Sequence, residues 1–426
     1  MASKQTGLRA SSFEALRQTI LDDGTGWSAR YGEERLSSHF QPIISLSHRR
    51  AVGYEGLMRA RRVDDGSPRS PIELLAACRD FEAALTLDRL SRMVHLHNFA
   101  RQAQKPGWLF LNMHPEVFLR AGRSDCIPVF RRMLEHAGVP AERVVIEVLE
   151  NAVRDDVDFS QSMAYFRSLG CLIALDDFGA GHSNFERVWQ IQPEIVKLDR
   201  SLIVRSAQSP KVRRMLAQMV SLLHECGALV LMEGIETEDE AQIALESDVD
   251  FVQGFYFGRP QPELAATEGV SPAISSLWQE FDRRWQADRS DHQERVGPYS
   301  NALGYASVLL AGGRSMEEAC ASFLALEGAE FCYLLDSRAQ QIGCNLWSPH
   351  YAPPDGQRFL PLADAEGARW ARRPYFRRAM EHCGRVQITR PYLSISSARL
   401  SATLSASFRI GGETRVICGD VRLRND

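Results

Sequence analysis

Seven short apolar stretches of this 426-residue chain each carry a polar or charged side chain at or near the end: Glu55, Asn112, Glu147, the pair Asp176-Asp177, Lys197, Glu233 and Gln253. A charge inside an apolar run is expensive unless something neutralises it. Two ionised carboxylates about 4 Å apart repel by roughly 4 kcal/mol at an effective dielectric near 20, so the five acids of this set, if gathered, need cations among them. Oxygen donors with one amide suit a hard ion such as Mg²⁺ or Mn²⁺ better than zinc, which prefers His and Cys. The adjacent aspartates can bridge two ions. Two ions about 3.5–4 Å apart would clamp the attacking and leaving oxygens of an in-line displacement at phosphorus. Lys197 is one of only four lysines in the chain, and it lies inside an apolar run. Taken singly, each acid could be a helix cap or a surface ion pair, Asn112 could form a turn, and Lys197 could neutralise one carboxylate. Their recurrence at successive run ends is what makes them a candidate site. His114 and His182 are read as polar loop groups without a catalytic role, and Cys171 and Cys226 as packed core residues.

The elements that must position these groups are eight apolar runs between residues 40 and 260: FQPIIS (40–45), VGYEGLM (52–58), WLFLNM (108–113), RVVIEVLE (143–150), LIALDDF (172–178), EIVKLD (194–199), ALVLME (228–233) and DFVQGFYF (250–257). Most lack polar alternation, as expected of strands buried on both faces, and amphipathic helical stretches separate them. Eight such strands imply closure into a barrel, whose strand ends converge on one mouth. The first two runs are joined by only LSHRRA (46–51), too short for a helical crossover, so they should form an antiparallel hairpin. Ser209-Pro210 should open a helix that Gly227 closes, and Thr237 with Glu240 should form a capping box.

Past Pro260 the pattern changes. SSLWQEFDRRWQADRSDHQERV (275–296) reads as a charged connecting helix with Leu277, Phe281 and Trp285 on one stripe. Helix-forming segments and then antiparallel strands follow, the sign of a small α+β domain. The resulting fold class is α/β: a modified TIM-type (β/α)8 barrel with an antiparallel first strand, then the smaller domain. The boundaries are 1–34, a helical extension; 35–265, the barrel; 266–297, a linker helix; and 298–426, the second domain.

Composition narrows the function. With 44% hydrophobic and 24% charged residues the chain is ordinary globular protein, and 50 basic against 54 acidic residues leave no surplus for a nucleic-acid polymer. Nine scattered cysteines without a C-x-x-C pair fit neither a disulfide framework nor a zinc site. No signal peptide or membrane span is read, so the expected home is the cytoplasm.

The segments QPIISLSHRRAVGYEGLMR, FLNMHPEVF, VVIEVLE, ALDDFGAGHSNFERV, EIVKLDRSLI, LMEGIETEDE and VQGFYFGRP resemble, in order and spacing, the EAL family of cyclic di-GMP phosphodiesterases over residues 35–262. The resemblance implies hydrolysis of cyclic di-GMP to linear pGpG with two Mg²⁺ or Mn²⁺ ions, and a homodimer; Ca²⁺, whose looser coordination positions water poorly, is expected to inhibit. It implies metal ligands at Glu55, Asn112, Glu147, Asp176 and Asp177, a water-orienting Lys197 with Glu233 as its acidic partner, and substrate contacts from Gln41, Arg59, Asp199 and Gln253. It also implies a pliable loop at DFGAGHSN (177–184), steadied by Glu150. Two departures stand out. Gly56 replaces the family's alanine, and Glu147-Val148, preceded by Ile146, lacks the family's threonine, which should remove a hydroxyl beside the metals. Two other readings remain: a receptor that binds cyclic di-GMP without cutting it, and, from the residues alone, an enolase-like lyase.

RRPYFRRAM (372–380), ITRPYLS (388–394) and VICGDV (416–421) resemble Cache or PAS-like sensor domains. That implies a pocket for an unknown small ligand lined by Arg373, Tyr375, Tyr392 and Asp420. The alternative is that the tyrosines are core aromatics and that Arg373 pairs with Asp420.

Overall fold

The computed structural model describes residues 11–102, 107–121, 127–150, 157–181, 185–265, 272–352, 359, 361–362 and 364–422. They fall into two compact units, Met1–Asp282 and Arg283–Asp426. Among the described residues no helix is long and apolar enough to cross a membrane.

The first unit is built on β1 (Ile20–Asp22), β2 (Trp27–Tyr31), β3 (Glu34–Ser45), β4 (Arg50–Arg62), β5 (Pro68–Arg69), β6 (Trp108–Asn112), β7 (Val144–Leu149), β8 (Leu172–Phe178), β9 (Ile195–Leu198), β10 (Leu229–Met232) and β11 (Phe251–Val252). β4 and β6 to β11 run parallel in chain order, β3 pairs antiparallel with β4, and β11 returns antiparallel to β3, which closes an eight-stranded barrel. The short first connection dictates this: β3 and β4 form the expected hairpin, with Gln41 opposite Glu55 and Ile43 opposite Gly53. The caps read from sequence are present. Ser209 accepts from the Val212 N–H at the head of the helix Pro210–Glu225, and Thr237 and Glu240 cap each other's backbone at the helix Glu238–Glu246.

Two segments of the first unit differ from their sequence reading. Within the expected helical extension 1–34, the described residues from 11 onward hold one helix, Phe13–Thr19, followed by β1 and β2 rather than continued helix. Gly24, Gly26 and Gly32 break the helical pattern there, and Asn98 bonds both the N–H and the C=O of Trp27 as a neighbouring strand would. The last barrel run is strand only at Phe251–Val252, because the chain then crosses the backbone of Ile235. A Cβ on Gly254 would lie 2.0 Å from the Ile235 carbonyl oxygen, and the Ile235 N–H donates to Gln253 O.

The expected linker helix starts at Pro272 and runs to Ala311 through Pro298, beyond residue 297. Val296, Leu303, Ala306 and Leu310 explain its continuation, since they are buried in the core of the second unit. That unit is a six-stranded antiparallel sheet of β12 (Ala329–Leu335), β13 (Gln341–Trp347), β14 (Gln387–Ile388), β15 (Tyr392–Leu393), β16 (Leu400–Ile410) and β17 (Glu413–Val421). β16 alternates strictly: Ala402, Leu404, Ala406 and Phe408 enter one core, while Ser401, Thr403, Ser405 and Ser407 are buried on the other face. There Ser405 and Ser407 donate to the carbonyls of Tyr375 and Ala379 in the helix Pro374–Glu381, so the polar stripe docks a helix.

Candidate active site

The barrel floor fixes where every candidate side chain points. Ile43, Phe110, Val145, Ala174, Ile195, Leu231 and Phe251, one from each of seven strands, form a closed apolar cluster inside the barrel. On β4 the place belongs to Gly53, where a Cβ would come within 2.9 Å of the Phe110 ring. Side chains alternate between the faces of a strand, so the next inward position lies two residues further toward the mouth. On the parallel strands those positions are Glu55, Asn112, Glu147, Asp176, Lys197, Glu233 and Gln253. On the reversed strand β3 it is Gln41. The polar set is thus one layer, stacked on one apolar layer.

That layer has two halves. In one, the Asn112 and Gln253 amides each donate at 2.7 Å to a different oxygen of Glu55, and Gln253 also donates to Gln41 at 3.2 Å. In the other, the Lys197 ammonium lies 2.5 Å from Glu147, 2.5 Å from Glu233 and 3.1 Å from Asp176. Lys197 is 1% exposed and Glu147 2%. Burial opposes the charge on Lys197, but Asp176, Glu147, Glu233 and Glu55 outweigh it and hold the ammonium well above its usual range. Burial, with Glu55 nearby, pushes Glu147 well above the carboxylate range, and burial pushes Glu233 up to about 8. One cation faces more carboxylates than it can neutralise. Glu147 Oε2 has no hydrogen-bond partner among the described residues, and Oε1 meets only Lys197. A buried acceptor left in that state is costly unless a further cation or donor completes it.

Asp177 poses a parity problem, since neighbours in a strand face opposite ways. The fold solves it with a bulge: the β8–β9 register shifts between Leu175 and Phe178, and Asp177 takes a left-handed φ of 60°. Carboxylate oxygens of Asp176, Asp177 and Glu233 consequently lie within 4.8 Å of one another. Burial and the Asp176 charge raise the Asp177 carboxyl above its ordinary value.

The remaining candidates surround this layer. Arg59 is half-buried on the same face of β4, four residues beyond Glu55. Asp199 accepts from the Ser201 N–H at 2.9 Å as the cap of the helix Arg200–Gln208. Glu150, buried just past β7, pairs with Arg187 at 3.1 Å, and Arg187 also donates to the Glu150 carbonyl, tying the strand end to the helix Phe185–Ile191. Of the loop 177–184, residues 182–184, including His182, lie outside the described residues. His114 is half-buried, and its backbone N–H donates to Asp88. Cys171 is buried and Cys226 half-buried, both packed in the core.

Both departures from the family pattern lie on the outer face of their strands. Ile146 and Val148 pack in the shell between barrel and helices while Glu147 points inward. A hydroxyl at either position would therefore not stand beside the carboxylates, which corrects the sequence reading. At Gly56 a Cβ would meet the His95 ring at 3.0–3.2 Å. His95 is held there by Ser38 at 2.8 Å and Ser91 at 3.0 Å, and burial keeps it neutral, near pKa 3. Sequence reasoning missed this histidine, and the helix Phe81–Gln102 gives it no signal, since Asp88, Arg89, Arg92, His97 and Asn98 are buried polar residues of the same helix. Gly56→Ala should cost about 1–3 kcal/mol by overpacking. In denaturant melts His95→Ser should recover part of that loss, and simple additivity of the two changes would contradict the pairing.

The sensor-like residues also converge. Arg373, Tyr375, Tyr392 and Asp420 line one small buried hollow. Arg373 and Asp420 form no ion pair: the arginine lies over the rings of Tyr392 and Trp370, at 5.5 and 6.0 Å, and Asp420 accepts from Thr403 at 2.7 Å. Burial lifts Asp420 to about 7, helped by Glu330 and opposed by Thr403, Ser394 and Arg373. Tyr333, Tyr375, Tyr392 and Cys418 around it are raised and stay neutral. A carboxyl whose folded pKa exceeds its unfolded value holds an extra proton when folded, so this group's contribution falls as pH rises from about 4 through 7. Asp420→Asn should therefore raise Tm only slightly at pH 4 and by several degrees at pH 8. An equal effect at both pH values would contradict the burial of a titrating acid.

A profile of the EAL domain matches residues 28–260. The cyclic di-GMP phosphodiesterase NbdA of Pseudomonas aeruginosa is 28% identical over 263 residues, which is 60% of this chain and 31% of its own. The uncharacterized EAL-domain containing protein YkuI of Bacillus subtilis is 23% identical over 345 residues, 79% of this chain and 82% of its own. The chain spans about a third of the length of the first curated relatives it matches. The crystal structure of YkuI in complex with substrate c-di-GMP and calcium shares the fold, with a TM-score of 0.76 at 19% identity over 92% of this chain and 97% of that one.

Proposed function

The chain belongs to the EAL-domain family, and on that premise we propose that it hydrolyses cyclic di-GMP to linear pGpG with the help of two divalent ions. The observation that carries this is the inward layer of carboxylates above the barrel floor, with the bulge that turns Asp176 and Asp177 to the same side. The donor set fits hard ions: oxygen donors, one amide, and a buried Glu147 oxygen without a partner. Glu55, Asn112, Glu147 and Asp176 would hold one ion, and Asp176 with Asp177 the second. When bound, Mg²⁺ or Mn²⁺ would supply charge neutralisation at the phosphate and a more acidic water.

The chain's own groups do the rest. Lys197, fixed by its carboxylates, orients the attacking water, with Glu233 beside it. Water adds across one phosphodiester, leaving a terminal phosphate and a free hydroxyl. Gln41, Gln253 and Asp199 contact the substrate, and the guanidinium of Arg59 matches a phosphate in charge and geometry. The Glu150–Arg187 pair holds the base of the loop after β8 in place. The C-terminal unit regulates this activity through a ligand, in a homodimer.

The test is to incubate purified protein with cyclic di-GMP and follow linear product. Turnover is expected with Mg²⁺ or Mn²⁺ and not with chelator. Ca²⁺, with its looser coordination, should support little. Tight binding without product in Mg²⁺ and Mn²⁺ would overturn the hydrolase reading in favour of a receptor.

A further inference from the structure

The second unit carries a cleft of about 790 Å³ that the hydrolase reading leaves without a role. Its walls come from three places in that unit: His292 to Val296, the start of the helix Pro374–Glu381, and Ile388 to Tyr392. Four of the twelve lining side chains are arginines, a fifth is His292, and none is a carboxylate. Arg295 pairs with Asp291 at 2.8 Å, whereas Arg373, Arg378 and Arg390 form no ion pair among the described residues. Guanidinium groups stay charged at any physiological pH, so the lining presents positive charge with no carboxylate to offset it.

Two features turn a basic surface into a shaped receptor. Arg373 is already oriented against the rings of Tyr392 and Trp370, so less side-chain freedom is lost when it bonds a ligand. It also occupies the cap of the helix Pro374–Glu381 without a side-chain cap bond, which leaves the positive end of the helix facing the same cleft. The rest of the lining is largely apolar or aromatic, including Val296, Ile388 and the rings of Tyr375 and Tyr392. Such a wall suits the carbon body of a metabolite rather than a bare inorganic ion, and the volume is of the size that encloses one.

We infer that this cleft binds a small organic molecule bearing two or more oxyanion groups, phosphate or carboxylate, gripped by Arg373, Arg378 and Arg390. The inference rests on reading the C-terminal unit as a ligand sensor and is independent of cyclic di-GMP hydrolysis. Asp420 does not line the cleft, but Arg373 stands between the two: it lines both the cleft and the hollow that holds Asp420.

Calorimetry on the full-length protein, in chelator so that the barrel carries no metal, tests it with citrate for the carboxylate arm, ADP for the phosphate arm and adenosine as the uncharged control. At least one anion should bind once per chain with a dissociation constant below about 1 mM at 150 mM NaCl, and adenosine should not. The pair Arg378→Gln and Arg390→Gln, both exposed positions, should weaken that binding tenfold or more without lowering Tm. Arg409→Gln, outside the lining, should leave it unchanged. Absence of binding by both anions, or binding that survives the double change, overturns the inference. Since cyclic di-GMP turnover is measured separately, a failure here leaves the hydrolase reading standing, and the reverse.

Discussion

Glu147→Gln should cut cyclic di-GMP turnover by roughly 10²–10³-fold or more while leaving the metal-free protein as stable as before or more stable. The two effects have one cause. Glu147 is buried, and its carboxyl is pushed well above the carboxylate range by desolvation and by Glu55. Glutamine mimics the neutral form that this setting already favours, and it relieves repulsion from Glu55 and Asp176. Lys197 keeps Asp176 and Glu233 as partners. What is lost is a charged oxygen donor for a metal. Asp176→Asn should behave alike in turnover. A stability loss with normal turnover in either variant would mean that these acids hold the fold and not the ions. Thermal melts in chelator beside product assays in Mn²⁺ separate the two outcomes.

Lys197→Met should have the opposite signature in stability. Removing a buried cation from three carboxylates leaves their charge uncompensated, a change that costs about 3–5 kcal/mol in buried pairs. Methionine fills much the same space, so packing is spared. Turnover should fall about 10²–10⁴-fold, the range for loss of a group that positions or transfers a proton. Adding Mn²⁺ should raise the Tm of the variant by more than it raises that of the unaltered protein, because the ions then supply the missing positive charge. Unchanged stability in chelator would contradict the view that Lys197 is what makes the metal-free layer tolerable.

Much of this site is legible from spacing alone. Most of these polar groups stand two residues beyond an apolar residue that faces the barrel axis, as with Phe110 and Asn112 or Ile195 and Lys197, while Glu55 follows Gly53. An isolated charge in such a run marks both strand and face. The same parity rule, applied to Ile146 and Val148, places them on the outer face, where a hydroxyl could not reach the metals. Asp177 is legible only in part, since strict alternation would turn it outward. Its position depends on the register shift and a left-handed φ, and nothing in the run LIALDDF announces a bulge. Tertiary context decided the rest. β2 is held between β1 and β3, with Asn98 of a distant helix bonding the Trp27 backbone at its start, and the arginine cleft gathers residues spread from His292 to Tyr392. β13 carries Gly343 and alternates weakly, so its strand character comes from pairing with β12.

The central claim is that the inward carboxylate layer is a seat for divalent cations. Titration of metal-free protein with Mn²⁺ in a calorimeter addresses it without reference to substrate or turnover. The account predicts uptake of two ions per chain, reduced in Glu147→Gln and Asp176→Asn. Absence of any saturable uptake, or uptake unchanged in both variants, would contradict it.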